Sequence, residues 1–314
     1  MCIRDRLGPK LQLDSYGSNE ELISKLVAAK GTGGYDVILP TGDYVPQMIH
    51  NGLLQKLNKD LIPNLEHMDE QFLGLDWDPE GEYTICKAWG TTGFVYDTTK
   101  IKRELKDWND FIDCAMNEAS GSTSMLDDPA ESLGLYFWSK DMDWTTEDPA
   151  ELDAAEEFLV NEFAQHIAAF DSYPGSGAMP QATHALIQVW NGDARQGMLE
   201  SGDPDRWKWV LGAPQTELWM DNWAISSTAK NVEAAHAFIN FMLEPENQIA
   251  NTDYIGYHTG AKGIEETARS EGFERLDMIF FTPEQVATMK EGKITDSQSR
   301  RVDIHNKMKA AASA

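Results

Sequence analysis

Trp219 and Asp221 bring an indole and a carboxylate into one short segment, Leu218-Trp219-Met220-Asp221. On a β-strand, residues two apart point to the same face, so the two side chains would lie side by side while Met220 points into the layer behind. An indole packs on methylene groups and favours a cation by roughly 0.5–2 kcal/mol, and a carboxylate holds an ammonium through a charge-assisted hydrogen bond. The pair suits an elongated ligand with a cationic end. The alternative is a half-buried strand with one acid at its solvated end.

A second acidic pair, Asp128 and Glu131, lies in the segment Asp127-Asp128-Pro129-Ala130-Glu131. Residues three apart on a helix share a face, so both carboxylates can reach one cleft. The same residues also match a capping box, with Asp128 as the N-cap, Pro129 in the first turn and Glu131 three positions after the cap. The sequence leaves both interpretations open.

The elements that must position these side chains alternate between strands and helices. Lys10 to Ser15 alternates Leu11 and Leu13 with polar residues, which predicts a strand. Ser18 and Glu21 form a capping-box pattern ahead of apolar residues at helical spacing. The apolar run Tyr35–Pro40 then predicts a buried parallel strand, and this order of elements favours an α/β lobe.

Further elements are predicted downstream, with no internal repeat and no boundary marked by composition. Capped helix starts are expected at Asp148-Pro149-Ala150-Glu151 and at Thr282-Pro283-Glu284-Gln285. Strands are expected at His184–Trp190, Trp207–Leu211 and Leu218–Ser226, and a helix from about Asn231 to Leu243, closed by Pro245.

Length and charge narrow the function classes. The chain has 314 residues, of which 41% are hydrophobic and 25% charged, and about 150 residues per domain predicts about two compact units. Its 26 Lys and Arg against 52 Asp and Glu give a formal net charge of -26. Such a surface repels phosphate backbones and anionic headgroups, so nucleic-acid and membrane-surface partners are disfavoured. A cationic partner is favoured, although solubility alone also accounts for the charge.

Motifs for metal or nucleophilic chemistry are absent from the sequence. The patterns HExxH, GxSxG and GxxxxGK[ST] do not occur, and Cys2, Cys86 and Cys114 form neither a disulfide framework nor a CxxC pair. We therefore expect no metal and no cofactor, and free buried thiols. Carboxylate enzymes such as glycosidases are built from residues far apart in sequence, so a hydrolase remains an alternative.

The N-terminus predicts a truncated chain without a visible export signal. Met1 to Gly8 contains three charges and lacks the apolar stretch of ~7–15 residues that a signal peptide needs. The opening Met-Cys-Ile-Arg-Asp-Arg is similar to translated adapter read-through at the end of a sequencing fragment. Cys2 falls within this opening, so we expect no role for it in the protein.

Several segments, in order along nearly the whole chain, resemble the periplasmic spermidine/putrescine-binding proteins of ATP-driven (ABC) uptake systems. These segments are Tyr35-Asp36-Val37-Ile38-Leu39-Pro40-Thr41 with Tyr44-Val45, Trp89-Gly90-Thr91-Thr92-Gly93, Leu126-Asp127-Asp128 with Glu131, Val189-Trp190-Asn191-Gly192, Leu218-Trp219-Met220-Asp221-Asn222-Trp223-Ala224-Ile225 and Ile255-Gly256-Tyr257.

The resemblance implies a ligand site made of carboxylates, aromatic walls and a rim. The residues concerned are Thr41, Asp43 and Tyr44 at the rim, Asp128 and Glu131 as carboxylates for the ligand's amines, Trp190, Trp219 and Tyr257 as aromatic walls, and Asp221 as the central acid. Two departures bear on the identity of the amine. Position 43 is Asp where the spermidine binder has an aromatic residue, and the glutamine expected near the C-terminus has no match around Thr295–Gln298.

The resemblance also implies an α/β, two-lobed periplasmic-binding-protein fold of type II, with the ligand cleft between the lobes. The expected lobes are residues 1–93 with 222–264, lacking a first strand, and 94–221 with 265–314. The implied function is capture of a polyamine or similar organic cation and delivery to an ABC permease, with no chemical step and no direct membrane insertion. The implied location is periplasmic, or extracellular with a lipid anchor. A binder of another small solute and a hydrolase using Asp128, Glu131 or Asp221 are the alternatives.

Overall fold

The computed structural model describes residues 11–29 and 34–314. Its strands are β1 (Val37–Ile38), β2 (Leu54–Gln55), β3 (Thr84–Asp97), β4 (Thr123–Leu126), β5 (Ile167–Asp171), β6 (Leu186–Trp190), β7 (Trp207–Leu211), β8 (Thr216–Ser226) and β9 (Met289–Glu291). Its α-helices are α1 (Asn19–Ala28), α2 (Val45–His50), α3 (Trp108–Met116), α4 (Pro129–Ser139), α5 (Pro149–Glu156), α6 (Asn191–Glu200), α7 (Val232–Met242), α8 (Pro245–Ile255), α9 (Ile264–Glu271), α10 (Pro283–Val286) and α11 (Gln298–Ala312).

The described chain divides into two compact units. Unit 1 consists of the residues up to Trp89 together with Trp219–Leu276, and unit 2 consists of Gly90–Leu218 with Asp277–Ala314. Two of the three boundaries therefore fall inside the long strands β3 and β8. From the sequence, the chain is expected to pass from one lobe to the other after residues 93, 221 and 264, and these boundaries stay predictions. The third expected boundary lies twelve residues before Leu276, where the second segment of unit 1 ends.

In unit 1, β1 and β2 pair antiparallel with the second part of β8, with Val37 opposite Ile225 and Leu54 opposite Ser226. Helix α1 begins as its capping pattern predicts, because the Ser18 hydroxyl accepts from the Glu21 amide at 3.3 Å. Leu22 and Leu26 on its buried face join Ile38, Val45, Met48 and Ala224 in one apolar core.

Two strand predictions for unit 1 are wrong. Residues 11–15 form no strand, because Leu13 is 86% exposed and the alternation of apolar residues buries no face; Lys10 lies outside the described residues. The run Tyr35–Pro40 contributes only the two residues of β1, and β1 is antiparallel to its neighbour. An apolar run encodes burial but not strand direction, which here depends on a partner almost two hundred residues later in the chain.

In unit 2, β4 pairs parallel with β5 and β6, while β6 and β7 pair antiparallel with the second part of β3. The helices cover this sheet with an aromatic core in which Trp108 and Trp138 stack at 5.6 Å between ring centroids. Both predicted helix starts are confirmed. Asp148 caps α5 through the Ala150 amide at 2.8 Å, and Thr282 forms both halves of a capping box with Gln285.

The thiols of Cys86 and Cys114 are free and buried, as the sequence predicts, while Cys2 lies outside the described residues. Burial and a neighbouring Glu118 raise the pKa of Cys114 to about 12, so this thiol stays protonated at physiological pH. Within residues 11–29 and 34–314, every helix is too short or too polar to cross a membrane.

Candidate ligand-binding residues

Asp221 lies on β8 in unit 1 and is held by the turn that follows β1. The Thr41 hydroxyl donates to Asp221 Oδ1 at 2.9 Å, and the two residues form an isolated antiparallel bridge. Asn19, at the start of α1, fixes this threonine twice: its Oδ1 accepts from the Thr41 amide at 3.0 Å, and its Nδ2 donates to Thr41 Oγ1 at 2.9 Å. Because Oγ1 accepts from Asn19, its own proton is directed at Asp221.

Burial dominates the electrostatics of Asp221. It raises the pKa of the Asp221 carboxyl, while the positive charge of Lys87 and the Thr41 hydrogen bond pull that pKa down. Burial and the charge of Asp221 together raise the pKa of Tyr16, whose hydroxyl donates to the Leu39 carbonyl. A desolvated carboxylate gains from any cation that reaches it, so this position favours an ammonium ligand.

Trp219 and Tyr257 meet beside this acid in unit 1. Their ring centroids are 4.8 Å apart with planes at 73°, an edge-to-face pair. Trp219 and Asp221 are partly exposed and the intervening Met220 is buried, as the alternation along the strand predicts. Gly256 ends α8 in the left-handed conformation, at φ 75°, and so turns the chain directly before Tyr257.

The turn Gly42–Tyr44 follows Thr41 directly. Gly42 is required there, because a Cβ atom would lie 2.7 Å from the Trp77 ring. The Tyr44 hydroxyl donates to Glu20 Oε1 at 2.7 Å, so it is directed at α1. The structure thus brings Thr41 to Asp221 and Trp219 to Tyr257, whereas a ligand role for Asp43 and Tyr44 stays a prediction.

In unit 2, Asp128 and Glu131 have different partners. Asp128 caps α4, its Oδ1 accepting from the Ala130 amide at 2.7 Å. Glu131 does not complete the capping box. Its Oε1 accepts instead from Thr92 Oγ1 and from Trp190 Nε1, both at 2.6 Å, and these two donors lie opposite each other on β3 and β6. Capping thus accounts for Asp128 but not for Glu131.

Glu131 is 1% exposed, and its second oxygen is 3.3 Å from the amide nitrogen of Gln188. Burial raises the pKa of Glu131 to about 7, and the charge of Asp128 adds to the rise. Hydrogen bonds from Thr92 and Trp190 oppose it. Sequence analysis assigns no role to Gln188 or Glu217. Thr92 belongs to one of the segments that resemble the family, but sequence analysis gives it no role either.

Helix α11 contacts Asp127, which precedes Asp128, and Ser132, which follows Glu131. His305 Nε2 lies 3.0 Å from Asp127 Oδ1, and Nδ1 lies 2.9 Å from Ser132 Oγ. Lys309 Nζ donates to the same Asp127 oxygen at 2.5 Å. We call these four residues the α11 bracket. Ser132 is fully buried, so the bracket fixes the start of α4 and does not present a nucleophile.

The described ranges 11–29 and 34–314 contain no group of three or more His, Cys, Asp or Glu side chains placed to hold a metal ion. The arrangement in each unit therefore consists of carboxyl groups, hydroxyl and amide donors and aromatic rings. Such groups recognise organic cations without a metal, through charge-assisted hydrogen bonds and ring contacts.

A family model described as bacterial extracellular solute-binding protein matches residues 5–275. The chain belongs to this family. The spermidine/putrescine-binding periplasmic protein of Escherichia coli (strain K12) is 31% identical to it over 254 residues, covering 80% of this chain and 70% of that protein. Spermidine/putrescine-binding periplasmic protein 1 of Haemophilus influenzae is 30% identical over 252 residues, covering 80% and 68%.

A solved solute-binding protein has the same fold. The spermidine/putrescine ABC transporter substrate-binding protein PotD from Streptococcus pneumoniae matches with a TM-score of 0.79 and 27% identity, covering 98% of this chain and 93% of that one. The expected α/β fold with two lobes is thereby confirmed. The family assignment is confirmed as well, so this chain is a member of a solute-binding protein family.

Proposed function

We propose that this solute-binding protein captures a polyamine, spermidine or putrescine, or a similar organic cation, and delivers it to an ABC permease without a chemical step. The observation that carries the proposal is the Asp221 group in unit 1. There a desolvated carboxyl, oriented by Thr41, lies on the same strand face as Trp219, whose ring packs on Tyr257.

This group of residues suits a ligand that has both a cationic part and an apolar part. The carboxylate of Asp221 calls for an N–H donor with positive charge, and the edge-to-face rings of Trp219 and Tyr257 offer a surface for methylene groups. A protonated alkyl amine has both features. The names of the relatives in Escherichia coli and Haemophilus influenzae agree with this class of ligand.

The remaining assignments belong to the same proposal. Asp128 and Glu131, with Trp190 donating to Glu131, would meet amine groups of the ligand on unit 2, and Thr41, Asp43 and Tyr44 would line the rim on unit 1. We further propose a periplasmic or lipid-anchored location, which fits the periplasmic location named for the relatives. The net charge of -26 fits a protein that attracts cations and binds no nucleic acid.

A ligand panel tests the proposal. The protein is heated with putrescine, spermidine, 1,4-butanediol, sugars and neutral amino acids, and calorimetry follows for each compound that raises Tm. At a ligand concentration of 100 times Kd, binding adds about 2.7 kcal/mol to the free energy of unfolding, which gives a clear Tm shift. We expect the amines to raise Tm and the diol to leave it unchanged.

Other outcomes of the panel decide between the alternatives. Stabilisation by a sugar or a neutral amino acid alone would show a binder of another solute and reject the polyamine. Incubation with aryl glycosides tests the hydrolase that Asp128, Glu131 or Asp221 would support, and we expect no release of the aryl alcohol. The amine-induced shift should also persist at raised salt concentration, because a buried ion pair is poorly screened.

A further inference from the structure

The first turn of helix α1 holds the residue that binds Asp221. Asn19 begins this helix, which packs on the core of unit 1 through Leu22 and Leu26. Its side chain reaches Thr41, 22 residues further along the chain, through two hydrogen bonds. Asn19 Oδ1 accepts from the Thr41 amide at 3.0 Å, and Nδ2 donates to Thr41 Oγ1 at 2.9 Å. A helix anchored in the core thus fixes both the backbone and the hydroxyl group of Thr41.

These contacts allow one arrangement of protons. The Thr41 amide can only donate, so the oxygen of the Asn19 side chain must face it and the nitrogen must face Oγ1. That nitrogen can only donate, so Oγ1 accepts from it. A hydroxyl group has one proton of its own, and the remaining contact of Oγ1 is with Asp221 Oδ1 at 2.9 Å. The hydroxyl proton of Thr41 is therefore committed to Asp221.

We propose that Asn19 is a positioning residue for amine binding, because it keeps the Thr41 proton on Asp221 and so holds this carboxylate in the orientation that receives an ammonium. This inference rests on the proposed function, in which Asp221 is the acid for the ligand's amine. Asn19 acts through Thr41 and needs no contact with the ligand. A carboxylate accepts about four hydrogen bonds, so the bond from Thr41 orients Asp221 and leaves capacity for the ligand.

This role requires asparagine and not aspartate at position 19. Aspartate has the same shape and would still accept from the Thr41 amide, but it has no donor for Oγ1. Two carboxylates would then compete for the single hydroxyl proton of Thr41, and Asp221 would lose this donor for part of the time. Asn19→Asp therefore separates two roles of the side chain, since it removes the control of the Thr41 proton and keeps the support of the Thr41 backbone.

The first test measures putrescine binding to Asn19→Asp by calorimetry at pH 8. We expect Kd to rise by roughly threefold to tenfold, as for the partial loss of a hydrogen bond to a charged group. Two side effects oppose this loss, because an acid in the first turn stabilises a helix and added negative charge attracts a cation. Weaker binding would therefore come from neither unfolding nor charge.

Asn58→Asp is the matched control. Asn58 is exposed in the same unit, and its Oδ1 accepts from the Asp60 amide at 3.2 Å, a bond that aspartate would keep. This variant should bind putrescine like the wild type. Wild-type affinity in Asn19→Asp would overturn the positioning role of Asn19 and leave the proposed function in place.

A double-mutant cycle with Thr41→Val tests whether Asn19 acts through the hydroxyl group. Asn19→Asp should weaken binding when Thr41 is present but not in the Thr41→Val background, because valine has no hydroxyl proton to withdraw from Asp221. Equal weakening in both backgrounds would show that Asn19 acts independently of the Thr41 hydroxyl group, which would overturn the inference.

The last test needs no ligand. The carboxyl carbon-13 signal of Asp221 in the NMR spectrum is identified by its absence in Asp221→Asn. Asn19→Asp should displace this signal further when Thr41 is present than in the Thr41→Val background, and equal displacements would contradict the inference. If the signal behaves as expected and no amine binds to the wild type, the control of the Thr41 proton stands and the proposed function fails.

Discussion

Asp221 in unit 1 and Glu131 in unit 2 are both acids that we propose for binding a cationic ligand, but they are held in opposite ways. Asp221 accepts one hydroxyl donor, Thr41, and lies beside an aromatic pair. Glu131 accepts from three donors, Thr92, Trp190 and Gln188. An acid with spare acceptor capacity gains from a ligand directly, whereas a saturated acid must exchange partners. We therefore expect affinity to depend mainly on Asp221 and selectivity on Glu131.

The largest effect is expected for Asp221→Asn. Removing one partner of a buried charge pair costs about 3–5 kcal/mol, so putrescine binding should weaken by two or more decades. Calorimetry measures the loss, and circular dichroism checks that the fold is intact. Asp60→Asn, at an exposed position of the same unit, is the control and should bind like the wild type. If Asp221→Asn binds as tightly as the wild type, its carboxylate is a solvated strand end and the assignment of Asp221 fails.

Glu131→Gln should change the pH dependence of stability. The folded protein raises the pKa of Glu131 from 4.5 to about 7, so the folded state binds the extra proton. Stability from this group is therefore greatest below pH 4.5, falls as pH rises towards 7 and is level above, by an amount of about 3 kcal/mol. Unfolding in urea between pH 4.5 and 8 measures this slope. Glu131→Gln should lose it, and an unchanged slope would contradict the raised pKa.

Trp219→Ala removes ring surface next to Asp221 and, in the proposed complex, a cation–π contact with the ligand. We expect a loss of about 1–3 kcal/mol in binding free energy, larger for spermidine than for putrescine because spermidine has more methylene groups. Calorimetric titration with both amines measures the difference. Equal losses for the two amines would show that Trp219 does not pack on the methylene chain.

Thr41→Val removes the hydroxyl group that donates to Asp221, with little change in volume. A hydrogen bond to a charged group contributes about 1–3 kcal/mol, and the ligand's own N–H groups replace part of it, so binding should weaken by about tenfold. Comparison with Thr99→Val, in the other unit, controls for a general loss of stability. An unchanged Kd would mean that Thr41 orients the turn and not the carboxylate.

Local periodicity predicted the parts of the candidate site that lie within one element. The period of two along β8 placed Trp219 and Asp221 on one face, and the capping pattern identified Asp128. The pattern failed at Glu131, because a capping box cannot show that Thr92 and Trp190 are stronger partners. Resemblance, not periodicity, supplied the roles of Trp190 and Tyr257, and those roles stay proposals.

The residues that sequence analysis missed act across long separations in the chain. Asn19 reaches Asp221 through Thr41, which is 180 residues away from that acid. Gln188 comes to Glu131 from a strand that follows it by 57 residues. A single sequence does not show which residues contact each other across such distances in the chain. The direction of β1 failed for the same reason, since its partner is the distant strand β8.

The α11 bracket affects the order in which parts of the protein become anchored during synthesis. The segment Asp127–Ser132 leaves the ribosome well before His305 and Lys309, which hold its two ends. Until those residues have been translated, the cap of α4 lacks its anchors from α11. Protein synthesis proceeds at about 5–20 residues per second, so the acidic segment waits for roughly 10–35 seconds in an incompletely supported state. The start of α4, with Asp128 and Glu131, therefore gains its anchors from α11 only after that helix has emerged.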